Sequence, residues 1–406
     1  MLESLFTFYA DELNSRLIMN GQTITELETP ALLLEQGRMN SNIARMRAQL
    51  ARLKVNFRPH VKTAKCIEAA RAMSGGTPGP ITVSTLREAD YFAGHGFTDI
   101  LYAVGITPNK MGHVAGLLKR GVNLTVILDS LDAAQALVRA ANASSITTIT
   151  TMTTMAPRAL IEIDCDGHRG GIHPESPALL DIARTLAAGG VTVDGVMTHA
   201  GGSYDCRGDD ALRAMAEQER ARTVRAAERL RAAGHAAPVV SVGSTPTALF
   251  AQDLTGVTEV RAGVFVFFDL VMAGLGVCRV EDIALSVLTT VIGHQREKGW
   301  TIVDAGWMAM SRDRGTAAQT VDQGFGLVCD ADGEPLHDYI MISANQEHGI
   351  IAHRAGEAGP PLTLPVGSLL RIMPNHACAT GAQHVRYHVV AGTSTVTGVW
   401  ERIGGW

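Results

Sequence analysis

Long apolar runs and an excess of basic charge are both missing from this chain of 406 residues. No run approaches the roughly 20 apolar residues that a membrane-spanning helix needs, and residues 1–16 alternate apolar with acidic side chains rather than placing a basic region before an apolar one. With 35 basic and 40 acidic residues, the net charge is −5, which provides no attractive field for nucleic acid or an anionic membrane. We therefore expect a cytoplasmic protein with neither partner.

Cysteine and lysine are scarce, and this limits the chemistry that the chain can perform. The 6 cysteines contain no Cys-x-x-Cys spacing, which argues against a disulfide framework or a zinc ribbon. Hydrophobic residues make up 46% and charged residues 18% of the chain, which is typical of a packed protein and excludes a disordered one. The candidates for any lysine chemistry are Lys54, Lys62, Lys65, Lys110, Lys119 and Lys298.

Short β-rich apolar runs alternate with helical patterns between about residues 55 and 270. Eight such alternations are typical of a parallel (β/α)8 barrel. A doubly wound sheet stays open as an alternative, because periodicity alone does not show that a sheet closes. The predicted strands lie near residues 56–61, 81–84, 100–104, 123–128, 159–164, 193–198, 239–242 and 259–266.

The pattern changes after about residue 275, where strand-like runs with turn signals replace the helical periodicity. We expect residues 36–272 to form an alanine-racemase-like α/β barrel and residues 1–35 with 273–406 to form a second, mostly β domain. A helix over 37–53 is expected to lead into the first barrel strand. The threonine-rich stretch 144–154 has neither the charge nor the turn chemistry of a catalytic loop and is predicted to be a surface insertion.

A lysine stands where the first barrel strand is expected to end, in Arg58-Pro59-His60-Val61-Lys62. Barrel enzymes place their catalytic groups at the carboxyl ends of the strands, so Lys62 is a candidate for amine chemistry. Taken alone, an ordinary solvated amine explains it equally well. Lys65 follows three residues later and is expected to point elsewhere.

Small residues follow the last two predicted barrel strands, as Gly243-Ser244-Thr245 and as Gly263. Loops at these positions commonly bind phosphate, because glycine and hydroxyl side chains let backbone N–H groups approach the anion. An ordinary helix cap at Thr245-Pro246 is the simpler explanation of the first group. A lysine on strand one and a phosphate cup opposite it together suggest pyridoxal phosphate.

Two further polar loops follow the fifth and sixth predicted strands. The first contains Arg169, and the second contains His199 and Tyr204. Because both loops fall at the catalytic rim of a barrel, we expect an arginine there to approach the cofactor and a ring or hydroxyl to meet the substrate.

The second domain contains a His-x-Cys pair, His376 and Cys378. On a strand these positions face the same side, so the imidazole and the thiolate are candidates to share one metal ion. Two protein ligands are too few for a structural zinc site and leave positions for water or substrate. Glu347-His348 is a second polar cluster in the same domain.

These motifs resemble the fold-type III pyridoxal-phosphate enzymes of the D-threonine aldolase and D-serine dehydratase family, over nearly the whole chain. The resemblance implies that Lys62 rather than Lys65 carries the cofactor, that His60, Arg169 and His199 belong to its site, and that His376 and Cys378 hold a divalent metal, with zinc, cobalt or manganese as candidates. The motifs that carry it are Thr29-Pro30, Arg58-Pro59-His60-Val61-Lys62, Thr82-Val83-Ser84-Thr85-Leu86, Gly243-Ser244-Thr245, Glu347-His348-Gly349 and Pro374-Asn375-His376-Ala377-Cys378.

Two departures from the aldolase pattern favour the dehydratase branch of that family. Aldolases carry an aspartate where this chain has Cys378, and a histidine near the position of Tyr204. The expected activity is a carbon–oxygen lyase that converts a D-3-hydroxy amino acid, in first place D-threo-3-hydroxyaspartate, to a 2-oxo acid and ammonia. Aldol cleavage to glycine and an aldehyde, and a non-catalytic cofactor carrier, are the alternatives. A homodimer is left open.

Overall fold

The computed structural model describes residues 22–143, 157–392 and 394–406, so the threonine-rich stretch lies outside the described residues. The described chain divides into two compact units. One, the barrel unit, comprises Ile43–Phe265 with Gly405–Trp406, and the other, the β unit, comprises the described residues up to Asn42 together with Val266–Gly404. In the described ranges no helix is long and apolar enough to cross a membrane.

Strands and helices alternate through the first two thirds of the chain, and strands predominate afterwards. In chain order the strands are β1 (Ala31–Glu35), β2 (Asn56–Phe57), β3 (Ile81–Val83), β4 (Asp99–Gly105), β5 (Asn123–Leu128), β6 (Arg158–Ile163), β7 (Thr192–Thr198), β8 (Val239–Val242), β9 (Glu259–Val260), β10 (Leu285–Gln295), β11 (Trp300–Val303), β12 (Leu327–Cys329), β13 (Pro335–Ala344), β14 (Gly349–His353), β15 (Leu369–Met373), β16 (Arg386–Ala391) and β17 (Thr395–Glu401). The α-helices are α1 (Gln36–Arg52), α2 (Ile67–Met73), α3 (Leu86–Ala93), α4 (Met111–Lys119), α5 (Leu131–Ala143), α6 (Ala178–Ala188), α7 (Asp209–Ala232), α8 (Thr245–Phe250), α9 (Leu270–Gly274), α10 (Trp307–Met310) and α11 (Ala377–Gly381).

The barrel unit is built on eight parallel strands in the order β2-β9-β8-β7-β6-β5-β4-β3. The first and last strands of this order, β2 and β3, are joined just after β2: His60, three residues beyond the end of β2, pairs in parallel with Thr82 of β3. Thr82 N–H donates to Pro59 O at 2.9 Å, and Val61 N–H donates to Thr82 O at 2.9 Å. These bonds close the sheet, which confirms the predicted barrel and excludes an open doubly wound sheet. Apolar side chains fill its interior, among them Leu101, Ile127, Leu160 and Met197.

Two predicted strands are shorter in the structure than the sequence pattern indicates. β2 ends at Phe57 rather than near residue 61, and the chain continues as an extended segment. This segment pairs with Thr82 at the barrel closure and donates backbone hydrogen bonds to the carbonyls of Val260 and Ala262. β9 ends at Val260, and Val264–Val266 forms a turn of 3₁₀-helix instead of strand. In both cases the chain leaves the sheet early, and after the extended segment residues 61–64 form a turn that contains Lys62.

The β unit contains a mostly antiparallel nine-stranded sheet in the order β11-β14-β13-β12-β15-β10-β1-β16-β17. Because β11 also pairs with β10, the first six of these strands close on themselves. β1, from the N-terminal segment, pairs antiparallel with β10 and parallel with β16, as the sequence pattern suggested. Ile24, Leu33 and Leu288 belong to a buried apolar cluster of this unit.

Candidate active site

Lys62 lies in the turn that follows the barrel closure, and its side chain is exposed. Its backbone N–H points to His60 Nδ1 at 3.4 Å, and His60 Nε2 lies 3.5 Å from Ser84 Oγ. Burial lowers the pKa of His60 well below its usual range, and the positive charge of Lys62 adds to this effect. The imidazole is therefore neutral at pH 7, beside an amine that makes no ion pair with any described residue.

Lys65 has a different environment, which separates the two candidate lysines. Its Nζ lies 3.2 Å from Oε1 of Glu88, whose side chain is 1% exposed. The other carboxylate oxygen of Glu88 accepts a hydrogen bond from Ser84 N–H at 2.9 Å. Lys65 therefore neutralises a buried carboxylate at the start of α3, whereas Lys62 is available for chemistry.

His199 follows β7, and a hydrogen bond to the residue after β8 fixes the orientation of its ring. Nδ1 lies 3.0 Å from Gly243 O, and because a carbonyl only accepts, this nitrogen carries the hydrogen. Burial lowers the pKa of His199 to about 3, and the charges of Lys62 and Arg169 add to the effect. The ring is neutral, and its Nε2 presents a lone pair. Tyr204 stands with its ring centroid 6.5 Å from that of His199.

The predicted phosphate cup contains two buried hydroxyl groups in contact. Ser244 Oγ lies 2.9 Å from Ser203 Oγ and accepts Thr247 N–H at 3.2 Å. Ser244 is thus the N-cap of α8, and Thr245 is the first helical residue, which corrects the expected cap at Thr245. Thr245 Oγ1 instead accepts Phe265 N–H at 3.2 Å. The Ser244 hydroxyl therefore both caps α8 and lines the predicted phosphate cup.

Glycine is required at Gly243, and the space beside Gly263 is tight for any side chain. Gly243 has a φ of 141°, and a Cβ there would lie 2.0 Å from Arg261 O. A Cβ on Gly263 would lie 3.0 Å from His60 O and 3.1 Å from Thr63 Oγ1. The segments after β8 and β9 therefore approach one another too closely for a Cβ at Gly243, and the segments after β2 and β9 leave little room for one at Gly263.

Arg169 is an exposed member of the predicted cofactor residues. Its side chain is 64% exposed, and Nη2 lies 3.4 Å from Glu162 Oε1. Its loop is ordered by Asp164, whose Oδ1 accepts the N–H groups of Asp166 and Gly167. Arg169 contributes positive charge near His199 and makes no shorter polar contact among the described residues.

His376 and Cys378 come together at the start of a helix, not on a strand as predicted. His376 is the N-cap of α11 and Cys378 its second residue, and the two side chains are within hydrogen-bonding contact. His376 Nδ1 lies 2.7 Å from Asp313 Oδ2, which leaves Nε2 as the nitrogen that can bind a metal. No third His, Cys, Asp or Glu in the described part of the chain completes a metal-binding group.

Two buried residues fix the backbone around this pair. Asp269, 2% exposed, accepts Ala377 N–H at 3.0 Å and so satisfies the first helical N–H of α11. Asn375 Nδ2 donates to Asp313 O at 3.1 Å and to Gly324 O at 2.7 Å, which ties the segment of Asp313 to the residue before His376. The cluster at Glu347 and His348 lies on the exposed loop between β13 and β14.

Sequence reasoning missed the residues that support these groups. Asp313 and Asp269 are 63 and 108 residues from their partners, and no spacing connects them. Ser203 lies in a loop already identified as polar, and its place in the cup depends on the meeting of β7 and β8.

Comparison with known proteins shows relatives over the whole length of the chain. D-threo-3-hydroxyaspartate dehydratase of Delftia sp. (strain HT23) is 52% identical over 95% of this chain and 99% of its own. D-serine dehydratase of Dictyostelium discoideum is 29% identical over 91% of this chain and 95% of its own. A 3-hydroxy-D-aspartate aldolase of Paracoccus denitrificans is 26% identical over 94% of this chain and 92% of its own.

Solved structures of the Delftia enzyme superpose on this chain with a TM-score of 0.90, covering 95% of this chain and 100% of the other. Two variants of D-threo-3-hydroxyaspartate dehydratase match similarly, with TM-scores of 0.91 and 0.90 at 50% and 51% identity, covering 98% and 95% of this chain and all of the other. One replaces a histidine and the other, in a metal-free form, replaces a cysteine two positions later. In this sequence His376 and Cys378 are the single His-x-Cys pair.

Two family domains match the chain in succession. The N-terminal domain of alanine racemase matches residues 34–271, and a putative serine dehydratase domain matches residues 284–390. The first covers more than half of the chain. The chain therefore belongs to the alanine-racemase-like family of enzymes that includes D-threo-3-hydroxyaspartate dehydratase and the D-serine dehydratases.

Proposed function

We propose that this chain is a pyridoxal-phosphate- and metal-dependent lyase that converts D-threo-3-hydroxyaspartate to a 2-oxo acid and ammonia. The observation that carries the proposal is the 52% identity, over 95% of the chain, to an enzyme named for that activity. The chain's own residues supply the groups that such a reaction needs: an available amine, neutral imidazoles, a hydroxyl cup and a thiolate–imidazole pair.

The barrel residues fit pyridoxal phosphate. Ser203 and Ser244 form a buried hydroxyl pair suited to phosphate oxygens, and Gly243 and Gly263 keep the adjacent space free of Cβ atoms. Lys62 offers the amine to which the cofactor's aldehyde attaches. When bound, this cofactor accepts the electron pair left at the α-carbon of an amino acid after its proton is removed.

The pair in the β unit fits a divalent metal. A thiolate and an imidazole are the ligands that zinc and cobalt favour, and manganese is a third candidate. Asp313 orients His376 as a carboxylate commonly orients a metal-binding histidine. The chemistry that such a metal supplies is Lewis acidity, which stabilises a hydroxyl group as it leaves.

Lys62 would act as the base of the proposed reaction, because its exposed amine could take the α-proton of the bound substrate at Nζ. His60 and His199 remain neutral, so they hydrogen-bond without competing for that proton. The β-hydroxyl departs, and the α-proton and the hydroxyl together make water. The released enamine takes up water and yields a 2-oxo acid and ammonia.

Aldol cleavage is the second candidate function, and the sequence and structure favour elimination over it at one residue. Cleavage needs a base on the β-oxygen. A tyrosine side chain, with a reference pKa near 10, is a poor base at pH 7, whereas a histidine, near 6.5, is a good one, and this chain has Tyr204 in this loop. The aldolase relative is also the more distant, at 26% identity.

Product analysis tests the proposal. We expect the enzyme, incubated with D-3-hydroxyaspartate, D-serine and D-threonine, to release equal amounts of ammonia and oxo acid, with little glycine. Tyr204→His, with Cys378→Asp, should raise the glycine share, while Tyr204→Phe, as the control, should not. If the unmodified enzyme forms mainly glycine and an aldehyde from D-threonine, the aldolase assignment replaces this one.

A further inference from the structure

Glu219 is an acidic residue in the apolar face of α7. The buried positions of this helix recur every three or four residues, as expected for the face that packs on a barrel, and Glu219 is the one with an ionisable side chain, whose pKa is raised by burial. It is 2% exposed. Burying a carboxylate costs several kcal/mol, so packing alone would favour an apolar residue at this position. A buried acidic residue on a helix face that is otherwise apolar or uncharged is typical of a functional position.

One oxygen of this carboxylate connects the ends of two strands. Glu219 Oε1 accepts Ala200 N–H at 3.0 Å, after β7, and Gly243 N–H at 3.1 Å, after β8. The Thr247 side chain, in the first turn of α8, donates a further hydrogen bond to the carboxylate. The segment after β7 and the segment from β8 into α8, both part of the predicted cofactor site, are therefore held by one side chain.

The same segments carry the groups expected to bind the cofactor. Thr247 Oγ1 lies 2.9 Å from Ser244 Oγ, which in turn contacts Ser203 Oγ. Gly243 donates its N–H to Glu219 and accepts a hydrogen bond from His199 at its carbonyl, so the carboxylate also holds the residue that the imidazole contacts.

We propose that Glu219 is a positioning residue that holds the phosphate cup in its binding geometry, without touching the cofactor. The inference rests on the proposed function, in which Ser203 and Ser244 receive the phosphate of pyridoxal phosphate. It implies that Glu219 contributes to the affinity for the phosphorylated cofactor and not to the attachment at Lys62.

Positioning and charge make opposite predictions for substitutions at this residue. A negative charge near a phosphate repels it, so a purely electrostatic role would make Glu219→Gln bind the cofactor more tightly. A positioning role needs the reach of the side chain and its acceptor oxygen. Glutamine retains both, whereas Glu219→Asp keeps the charge and loses the reach.

The experiment compares the two variants with two probes. Apoenzyme is titrated with pyridoxal phosphate and with pyridoxal, which lacks the phosphate, and the visible absorbance band reports binding at Lys62. We expect Glu219→Asp to raise the Kd for pyridoxal phosphate by about 10–100-fold while that for pyridoxal changes by less than about threefold. Glu219→Gln should shift both constants by less than about threefold. Glu217→Ala, an exposed change on the same helix, is the control.

Three results would overturn the inference: equal weakening of both probes in Glu219→Asp, no weakening there, or tighter binding of pyridoxal phosphate by Glu219→Gln. The proposed function fails separately, if the unmodified enzyme develops no visible band with pyridoxal phosphate. A normal band in that enzyme together with any of the three results contradicts the role of Glu219 alone.

Discussion

The barrel unit and the β unit each hold candidate chemical groups, but they organise them differently. In the barrel, the candidate residues follow successive strands, and the parallel topology brings the strand ends to one rim. In the β unit, the two candidate metal ligands are two residues apart and depend on carboxylates far along the chain, Asp313 and Asp269. The barrel gathers separated residues into one site, whereas the β unit supports a local pair from a distance.

Substitutions in the two units should therefore have different effects on cofactor binding and on turnover. Damage at the barrel residues should affect cofactor attachment itself. Damage in the β unit should affect turnover while the cofactor stays bound, because the proposed metal acts on the substrate hydroxyl and not on the cofactor.

Lys62→Ala should have the largest effect. Because Lys62 is the proposed point of attachment, we expect its loss to remove the visible absorbance of the bound cofactor and to lower kcat at least about 1,000-fold. Absorbance spectroscopy and an ammonia assay measure both. Lys65→Ala should keep the absorbance but destabilise the fold by about 2 kcal/mol, because it leaves the buried Glu88 without its cation. A colourless Lys65 variant beside a coloured Lys62 variant would reverse the assignment.

Metal removal should stop turnover and leave the cofactor in place. We expect chelator treatment, or His376→Ala, to abolish ammonia release while the visible absorbance persists. His376 is a proposed metal ligand, whereas the cofactor is proposed to attach at Lys62. Adding back zinc, cobalt or manganese should restore activity to the chelated enzyme. His337→Ala, an exposed histidine of the same unit, serves as the matched control. Full activity in a sample shown to be metal-free by elemental analysis would refute the metal requirement.

Asp313→Asn should weaken metal binding without removing a ligand. The carboxylate holds His376 through its Nδ1–H, and loss of such a partner typically lowers metal affinity about 10–100-fold. Competition with a chromogenic chelator measures this affinity directly, without reference to activity. Asp338→Asn, exposed on β13, should leave it unchanged. Equal affinities in the Asp313 variant and the unmodified enzyme would show that the hydrogen bond does not orient the ligand.

The smallest expected effect is a pH dependence of stability that originates in the barrel. The pKa of His199 is lowered to about 3, so below its ordinary value of 6.5 the unfolded chain binds the proton that the folded chain excludes. The folded state should therefore lose stability as pH falls from about 6.5, at about 1.4 kcal/mol per pH unit from this residue. Urea unfolding at pH 7, 6 and 5 measures the slope.

His199→Gln should flatten that slope, and His113→Gln, at an exposed position, should not. Identical slopes in the His199 variant and the unmodified protein would mean that the imidazole is not buried in its neutral form.

The sequence by itself was sufficient to predict alternating parallel strands and helices, although it left a doubly wound sheet as an alternative to the barrel. The carboxyl ends of parallel strands lie at one edge in either arrangement, so Lys62, His199 and Gly243 could be expected at one rim, whereas the closure of the sheet is seen only in the structure. The His-x-Cys pair was also visible, because its two members are local. The strand expected there was wrong, because the short helix α11 begins where Asp269 accepts its first N–H, a partner 108 residues away.

Only the tertiary structure decided which groups support the chemistry. The separation of Lys62 from Lys65 depends on the buried carboxylate of Glu88, and the orientation of His376 depends on Asp313, neither of which any periodicity connects to its partner. Glu219 is the clearest example. In the sequence it is one acidic residue of a highly charged helix, and its burial against the ends of β7 and β8 appears only once the barrel has closed. Hydrogen bonds between distant segments depend on the tertiary arrangement that brings those segments together, so the local sequence does not encode them.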